Sequence, residues 1–279
     1  MTGGLKLLAP GYRALRLLHR NGAVSIYDAW SDERGCRCVV KLAGAGRRNV
    51  RERKALAREG RLLLSLSHPH IVRAYDLLVR PRTALILETL PGETLAHLLR
   101  ARGPLGAQDV AQLGAQLCSA LRYLHARGTL HLDLKPSNVV CHGGLARLLD
   151  LGISRRPGRG HRGVGSAPYL APEQARGEWV SVATDVFGLG AVLYHAASGR
   201  APFRGVVGGF DQLRRRARVR EAAPCVPERL ARVIDACLDP DAAARPDVAR
   251  VARLLRSLLA TSRLPRRACA DPSQHGPAL

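Results

Sequence analysis

Apolar positions along this 279-residue chain fall first in an alternating register and then in a helical one. From 12 to 30 and from 36 to 42, apolar and β-branched residues alternate with polar ones. The alternation breaks at Arg20-Asn21-Gly22 and at Asp32-Glu33-Arg34-Gly35, which predicts strands joined by turns. Between 48 and 66, Val50, Leu56, Leu62, Leu63 and Leu66 stand among charges, the spacing of an amphipathic helix. Two short apolar runs, 72–79 and 84–90, complete a small sheet. After Pro91-Gly92 the period becomes helical, over 94–101, 107–127, 184–198, 227–238 and 246–260; in the second of these Val110, Leu113, Leu117, Leu121 and Leu124 share one face. From about 262 the periodicity stops, and a composition of Arg, Pro and polar residues predicts a disordered tail.

One polar stretch interrupts the helical half. His131-Leu132-Asp133-Leu134-Lys135-Pro136-Ser137-Asn138 is followed twelve residues after its Asn by Asp150-Leu151-Gly152. Phosphoryl transfer requires a carboxylate near the attacking hydroxyl, a cation on the migrating group, and oxygen ligands for magnesium. Asp133, Lys135 and the pair Asn138 and Asp150 supply those parts in that order.

H-x-D-L-K-P-x-N with a downstream D-x-G resembles the catalytic and magnesium loops of eukaryotic-type protein kinases. The lysine two residues after the aspartate is similar to the serine/threonine branch found in bacteria. Further segments follow in family order. Val39-Val40-Lys41 resembles the V-A-I-K strand, with Glu59 eighteen residues on inside a helical pattern, and Ser67-His68-Pro69-His70-Ile71-Val72 resembles the H-P-N-I-V turn. Gly165-Ser166-Ala167-Pro168-Tyr169-Leu170-Ala171-Pro172-Glu173 is similar to the substrate-docking turn that ends in A-P-E. Thr184 to Gly190, Ser198 to Phe203 and Ala244-Arg245-Pro246 resemble what comes after it.

The resemblance implies an α+β, two-lobed kinase-like fold, with a small antiparallel sheet lobe carrying one main helix and a larger, mainly helical lobe. It divides the chain into 1–90 for nucleotide binding, 91–262 for catalysis and substrate docking, and the tail 263–279. It implies ATP and Mg2+ as cofactors, and roles for individual residues. Asp133 handles the substrate hydroxyl, and Lys135 steadies the γ-phosphate. Lys41 grips the α- and β-phosphates and pairs with Glu59, while Asn138 and Asp150 hold the metal. Backbone groups of Glu88 and Leu90 meet adenine under Val39, and Leu87 guards the rear of the pocket. His131 is scaffold, Asp185 holds the catalytic-loop backbone, Glu173 and Arg245 form a buried ion pair, and Ser166 bonds Asp133 and Lys135.

Two departures stand out. Aligning Ile26-Tyr27-Asp28-Ala29 with the family's V-Y-x-A places His19, Asn21 and Val24 at the three positions of the phosphate-covering glycine loop, leaving Gly22 one place off. Glycine serves there because bare backbone N–H groups approach phosphates closely. Leu132 stands where many kinases carry an arginine that receives an activation-loop phosphate, and Ile153 to Leu170 offers only Ser154, Ser166 and Tyr169 as hydroxyls. The first departure keeps open a pseudokinase that binds nucleotide or acts as a scaffold; the second implies activity without loop phosphorylation. A small-molecule phosphotransferase shares the H-x-D and D-x-G logic but lacks the A-P-E segment.

Composition changes this picture little. The formal charge of +22 suggests acidic partners, nucleic acid or an anionic membrane surface. Only Lys6, Lys41, Lys54 and Lys135 among the 44 basic residues are lysines, and the abundance of Arg with Ala, Gly and Leu fits a GC-rich coding bias. Aromatic residues make up 4% of the chain and provide no stacking platform, so nucleic acid is not the expected partner. A protein substrate is expected, which the residues do not identify, and no oligomeric state is specified. No uncharged apolar run reaches the length of a membrane span, the start is a poor signal peptide, and seven cysteines without repeating spacing argue against a disulfide framework, so a cytoplasmic protein is expected. Cys36-x-Cys38 has no second pair at metal-binding distance and reads as small residues in a strand hairpin.

Overall fold

The computed structural model describes residues 6–205 and 209–260, so the tail expected over 263–279 lies outside the described residues. The chain divides into two compact units, residues 6–91 with Leu149–Ile153, and residues 92–148 with 154–260.

In the first unit the alternating pattern becomes six antiparallel strands: β1 (Leu7–Ala9), β2 (Tyr12–Asn21), β3 (Val24–Ser31), β4 (Cys36–Ala43), β5 (Ala74–Leu78) and β6 (Ala84–Glu88), in the order β1-β2-β3-β4-β6-β5. Helix α1 (Val50–Leu64) precedes β5 in the chain and buries Leu56, Ala57, Glu59, Gly60 and Leu63. A period of two sends alternate β4 residues to opposite faces. Cys38, Val40 and Leu42 enter a core cluster with Tyr12, Tyr27, Ala29 and Ile86. Val39 and Lys41 therefore take the other face. Two expectations need correction. Strand β1 was not foreseen, because three residues are too few to display a period, and the run 84–90 ends its ladder at Glu88, ahead of Pro91, which has no N–H to donate.

The second unit is mainly helical: α2 (Leu95–Arg102), α3 (Ala107–His125), α4 (Pro172–Arg176), α5 (Val182–Ser198), α6 (Val219–Ala222), α7 (Glu228–Cys237) and α8 (Val248–Ala260). Helix α3 packs against α5 and α8, and α7 against α5. Leu117, Cys118, Leu121 and Leu124 of α3 are fully enclosed, as are Leu189, Val192 and Leu193 of α5. Ser181 caps α5, accepting from the Ala183 N–H at 3.3 Å, while Thr184 Oγ1 accepts from the Ser181 N–H at 3.0 Å. A sheet of β7 (Glu93–Thr94), β8 (Val139–His142) and β9 (Leu145–Leu148), and a second of β10 (Gly158–Arg159) and β11 (Trp179–Val180), were not predicted. Strands of two to four residues carry too few positions for periodicity to register. Together the sheet unit and the helical unit make the expected α+β, two-lobed architecture.

Cys36, Cys38, Cys118, Cys141 and Cys237 are free thiols, and Cys225 is disulfide-bonded. No helix among the described residues is long and apolar enough to cross a membrane.

The expected pair of Glu173 and Arg245 is present and closes the second unit. The guanidinium lies 2.7 and 2.9 Å from the two carboxylate oxygens, with Arg245 side chain wholly enclosed. It also donates to the carbonyls of Ala183, Asp239 and Pro240, and Thr184 Oγ1 donates to Glu173 at 2.8 Å. Burial pushes the Glu173 carboxyl up, but the bonds and charge of Arg245 outweigh it and hold Glu173 below the usual range. Removing one partner of such a pair strands a buried charge, so Arg245→Met should cost about 3–5 kcal/mol by urea unfolding, and adding Glu173→Met should recover part of the loss. Because the folded value is depressed, the stability from Glu173 is complete above the unfolded carboxylate's value of about 4.3 and fades as pH falls through the folded one. The difference in Tm between wild type and Glu173→Gln should shrink on acidification below about pH 4.

Candidate active site

Asp185, on the first turn of α5, has no exposed side-chain surface and collects three donors. Its carboxylate accepts from the backbone N–H groups of His131 and Leu132, each at 2.8 Å, and its Oδ2 lies 2.7 Å from His125 Nε2. Leu132 is drawn into the left-handed region, φ 67, which few leucines occupy. His131 is itself fully buried; its Nδ1 accepts from the Asp133 N–H at 3.2 Å, which makes the ring part of the scaffold of the loop.

Asp133 follows that bend. Its Oδ2 lies 2.7 Å from Lys135 Nζ and 3.3 Å from Asn138 Nδ2, and Asn138 Nδ2 also donates to the Asp133 carbonyl at 3.0 Å. Asp133 Oδ1 is buried and has no hydrogen-bond partner among the described residues. Lys135 Nζ also donates to Ser166 Oγ at 2.8 Å. Ser166 was expected to bond Asp133 as well; Lys135 instead stands between them.

In the first unit, Lys41 Nζ is 2.6 Å from Glu59 Oε1 and 3.4 Å from Asp150 Oδ1, with both Lys41 and Glu59 nearly enclosed. Burial opposes the ammonium, yet the carboxylates of Glu59 and Asp150 hold Lys41 above the usual lysine value. Asp150 has φ 39, a turn supported by its own Oδ1 accepting the Gly152 N–H at 3.0 Å. Glu59 Oε1 also accepts from the Leu151 N–H at 3.3 Å, and Arg58 donates to the Gly152 carbonyl at 3.0 Å. Glu88 gives its N–H to the Arg73 carbonyl at 3.0 Å, and Leu87, opposite Val39 in the ladder, is buried. Leu90 and Val39 are half-buried.

The hairpin of β2 and β3 closes at Asn21 and Val24, so its loop is the two residues Gly22 and Ala23. Gly22 at φ 54 supplies the positive angle that the first position of such a turn demands. Val24 pairs with Ala43, and the Ala23 carbonyl accepts from the Gly44 N–H at 2.6 Å. Asn138 belongs to the second unit and Asp150 to the first.

Residues 14–254 match the protein kinase domain. The chain belongs to the protein kinase family. It is 40% identical over 210 residues to the serine/threonine-protein kinase PkaA of Streptomyces coelicolor, covering 71% of this chain and 38% of that protein. It is 31% identical over 213 residues to the probable serine/threonine-protein kinase PknB of Bifidobacterium longum, covering 70% and 31%. With the serine/threonine-protein kinase PknB of Mycobacterium tuberculosis the identity is 34% over 161 residues, 53% and 26% of the two chains. The chain thus spans well under half the length of these curated relatives.

Three contacts of this site were not anticipated. His125 closes on Asp185 from the last turn of α3, and a histidine on an otherwise apolar helix face two residues after Tyr123 was its only signal. Gln174 Nε2 donates to the Leu132 carbonyl at 2.9 Å and more weakly to that of Val164 at 3.3 Å. Tyr169 Oη lies 2.7 Å from His195 Nδ1; burial pushes the Tyr169 hydroxyl up to about 12 and holds the imidazole below its usual value. Replacing Asp185 with Asn leaves three donors facing one acceptor oxygen. Asp185→Asn should therefore lower stability by about 3 kcal/mol in a urea titration.

Proposed function

We propose that this chain is an ATP-dependent kinase that phosphorylates serine and threonine hydroxyls of a protein substrate. The observation that carries the reading is Asp133, whose Oδ2 is held by both Lys135 and Asn138. The Asp133 carboxylate, 16% exposed and fixed in direction by Lys135 and Asn138, orients a substrate hydroxyl and shares its proton as the oxygen attacks. Lys135, anchored by Ser166, places a positive charge beside the group being transferred. Lys41, kept charged by Glu59 and Asp150, binds the α- and β-phosphates.

The residues fit a nucleotide with a divalent cation. Asp150 keeps a carboxylate that is 45% exposed, and Asn138 has spent its amide nitrogen on Asp133, leaving a hard oxygen. We assign the cation as Mg2+. ATP supplies the activated phosphoryl group. Backbone groups of Glu88 and Leu90 meet the adenine edge and Val39 covers the ring. On this reading 1–90 binds nucleotide, 91–262 carries catalysis and docking, and the protein works in the cytoplasm.

A second reading rests on the hairpin. Gly22 is committed to a two-residue turn and Val24 to the ladder, so the backbone there has little freedom to cover phosphates. That geometry suits a nucleotide-binding scaffold, or a kinase with weakened affinity for ATP. Val24→Gly separates them: a lower KM for ATP is expected of the kinase, whereas absence of both binding and transfer in either form would support the scaffold.

With labelled ATP, Asp133→Asn and Asp150→Ala should each lower transfer by about two to four orders of magnitude while the thermal melt stays cooperative. Autophosphorylation at the wild-type rate in either variant would refute the assignment. Leu132 leaves no arginine to receive a loop phosphate, so phosphatase-treated enzyme should keep its rate. A large loss, restored by phosphorylation within 153–170, would overturn that expectation.

A further inference from the structure

Some arginines of the second unit face a carboxylate and others do not. Arg176, Arg215, Arg216, Arg218, Arg232 and Arg245 each face a carboxylate. Arg156, Arg159 and Arg162 are exposed and have no carboxylate within ion-pair distance among the described residues. From Leu151 to Pro172 the chain contains no Asp or Glu at all. The flanking acids in sequence are already engaged, Asp150 lying 3.4 Å from Lys41 and Glu173 pairing with Arg245, while Glu178 is 3.5 Å from Arg176.

This basic run is held in place by its backbone. Arg159 pairs with Trp179 across β10 and β11, and the Gly160 N–H donates to the Glu178 carbonyl at 2.7 Å. Arg155 spends its guanidinium on the carbonyls of Gly158 and Arg159, which braces the bend. The Gly163 N–H donates to the Gln174 carbonyl at 2.9 Å, and Gln174 Nε2 bonds the Leu132 carbonyl. Gly165, at φ 122, runs so close to that carbonyl that an added Cβ would sit 3.3 Å from it. The run is thereby tied to the residue preceding Asp133. Arg162 is four residues from Ser166, which bonds Lys135, so their Cα atoms are at most about 14 Å apart. An extended peptide covers that distance in about four residues.

We propose that Arg156, Arg159 and Arg162 receive acidic side chains about three or four residues from the accepting hydroxyl, making acidic protein segments the preferred substrates. The inference rests on the kinase reading above and adds the substrate class. Guanidinium groups on an already ordered backbone attract carboxylates without the cost of ordering the segment that carries them. The overall charge of +22 attracts any acidic peptide, so position has to be separated from net charge.

The experiment uses serine peptides bearing Glu, Ala or Lys at the third and fourth places on either side of the acceptor. Each is tested with the full chain for KM and kcat, and for binding by fluorescence anisotropy. Wild type should bind the Glu series about ten-fold more tightly than the Ala series. Arg159→Glu with Arg162→Glu should raise KM and Kd for the Glu series about ten-fold, leave kcat within about two-fold, and shift preference toward Lys. Arg229→Glu with Arg250→Glu makes the same charge change on exposed positions of α7 and α8 and should leave both constants nearly unaltered. An equal loss in this control, or no preference for Glu in wild type, would overturn the proposal. Transfer without a preference would sink the acidic-substrate inference and spare the kinase reading. A binding preference that depends on Arg159 and Arg162, without transfer to any peptide, would do the reverse.

Discussion

A carboxylate with no access to water has to find donors inside the protein, and Asp185 dictates much of the second unit by finding three. Leaving such a charge unpaired would cost many kcal/mol, far more than the strain of about 1–3 kcal/mol carried by a leucine at a positive φ. The balance explains why Leu132 accepts its unfavourable angle: the bend brings two successive N–H groups onto one carboxylate. Asp133 leaves that bend in a direction set by α5, and α5 is buried along nearly its whole length. A loop residue thus acquires the positional definition of a helix.

The consequences spread outward by single bonds. The carbonyl of Leu132 anchors Gln174, and Gln174 anchors the glycine-rich segment that leads to Ser166. Ser166 returns to the loop through Lys135. Glu173, beside Gln174, is fixed in turn by Arg245 from a distant part of the chain. Each link is an ordinary hydrogen bond or ion pair; the closed circuit makes their geometry mutually dependent.

Much of this was legible in the order of residues. Long periodic segments declared α1, α3, α5, α7 and α8, and the pairing of Lys41 with Glu59 followed from a strand and a helix carrying them at the family's spacing. Short features were not legible. Strands of two residues at 93–94, 158–159 and 179–180 exist because distant backbone happens to lie alongside them, and nothing local announces that. The joining of His125 to Asp185 and of Gln174 to Leu132 likewise depends on tertiary approach across 60 and 42 residues. Gly22 falls both in the turn expected at 20–22 and one place off the phosphate-loop positions, and its angle answers the requirement of a tight hairpin. One glycine meets either need, so residue type could not tell them apart.

Helix α1 offers a last consequence. It is tied to the Asp150-Leu151-Gly152 turn twice, by Glu59 on the Leu151 amide and by Arg58 on the Gly152 carbonyl, and to β4 by Lys41. Rotating it away would strand a buried ammonium and a buried carboxylate at once. If that state lies even about 3 kcal/mol higher, it holds under one molecule in a hundred. A control mechanism that toggled this helix would have to supply the whole difference through its own binding energy. The unit is therefore poised in one arrangement by default, and a partner that silenced it would more economically compete for its open surfaces than move its parts.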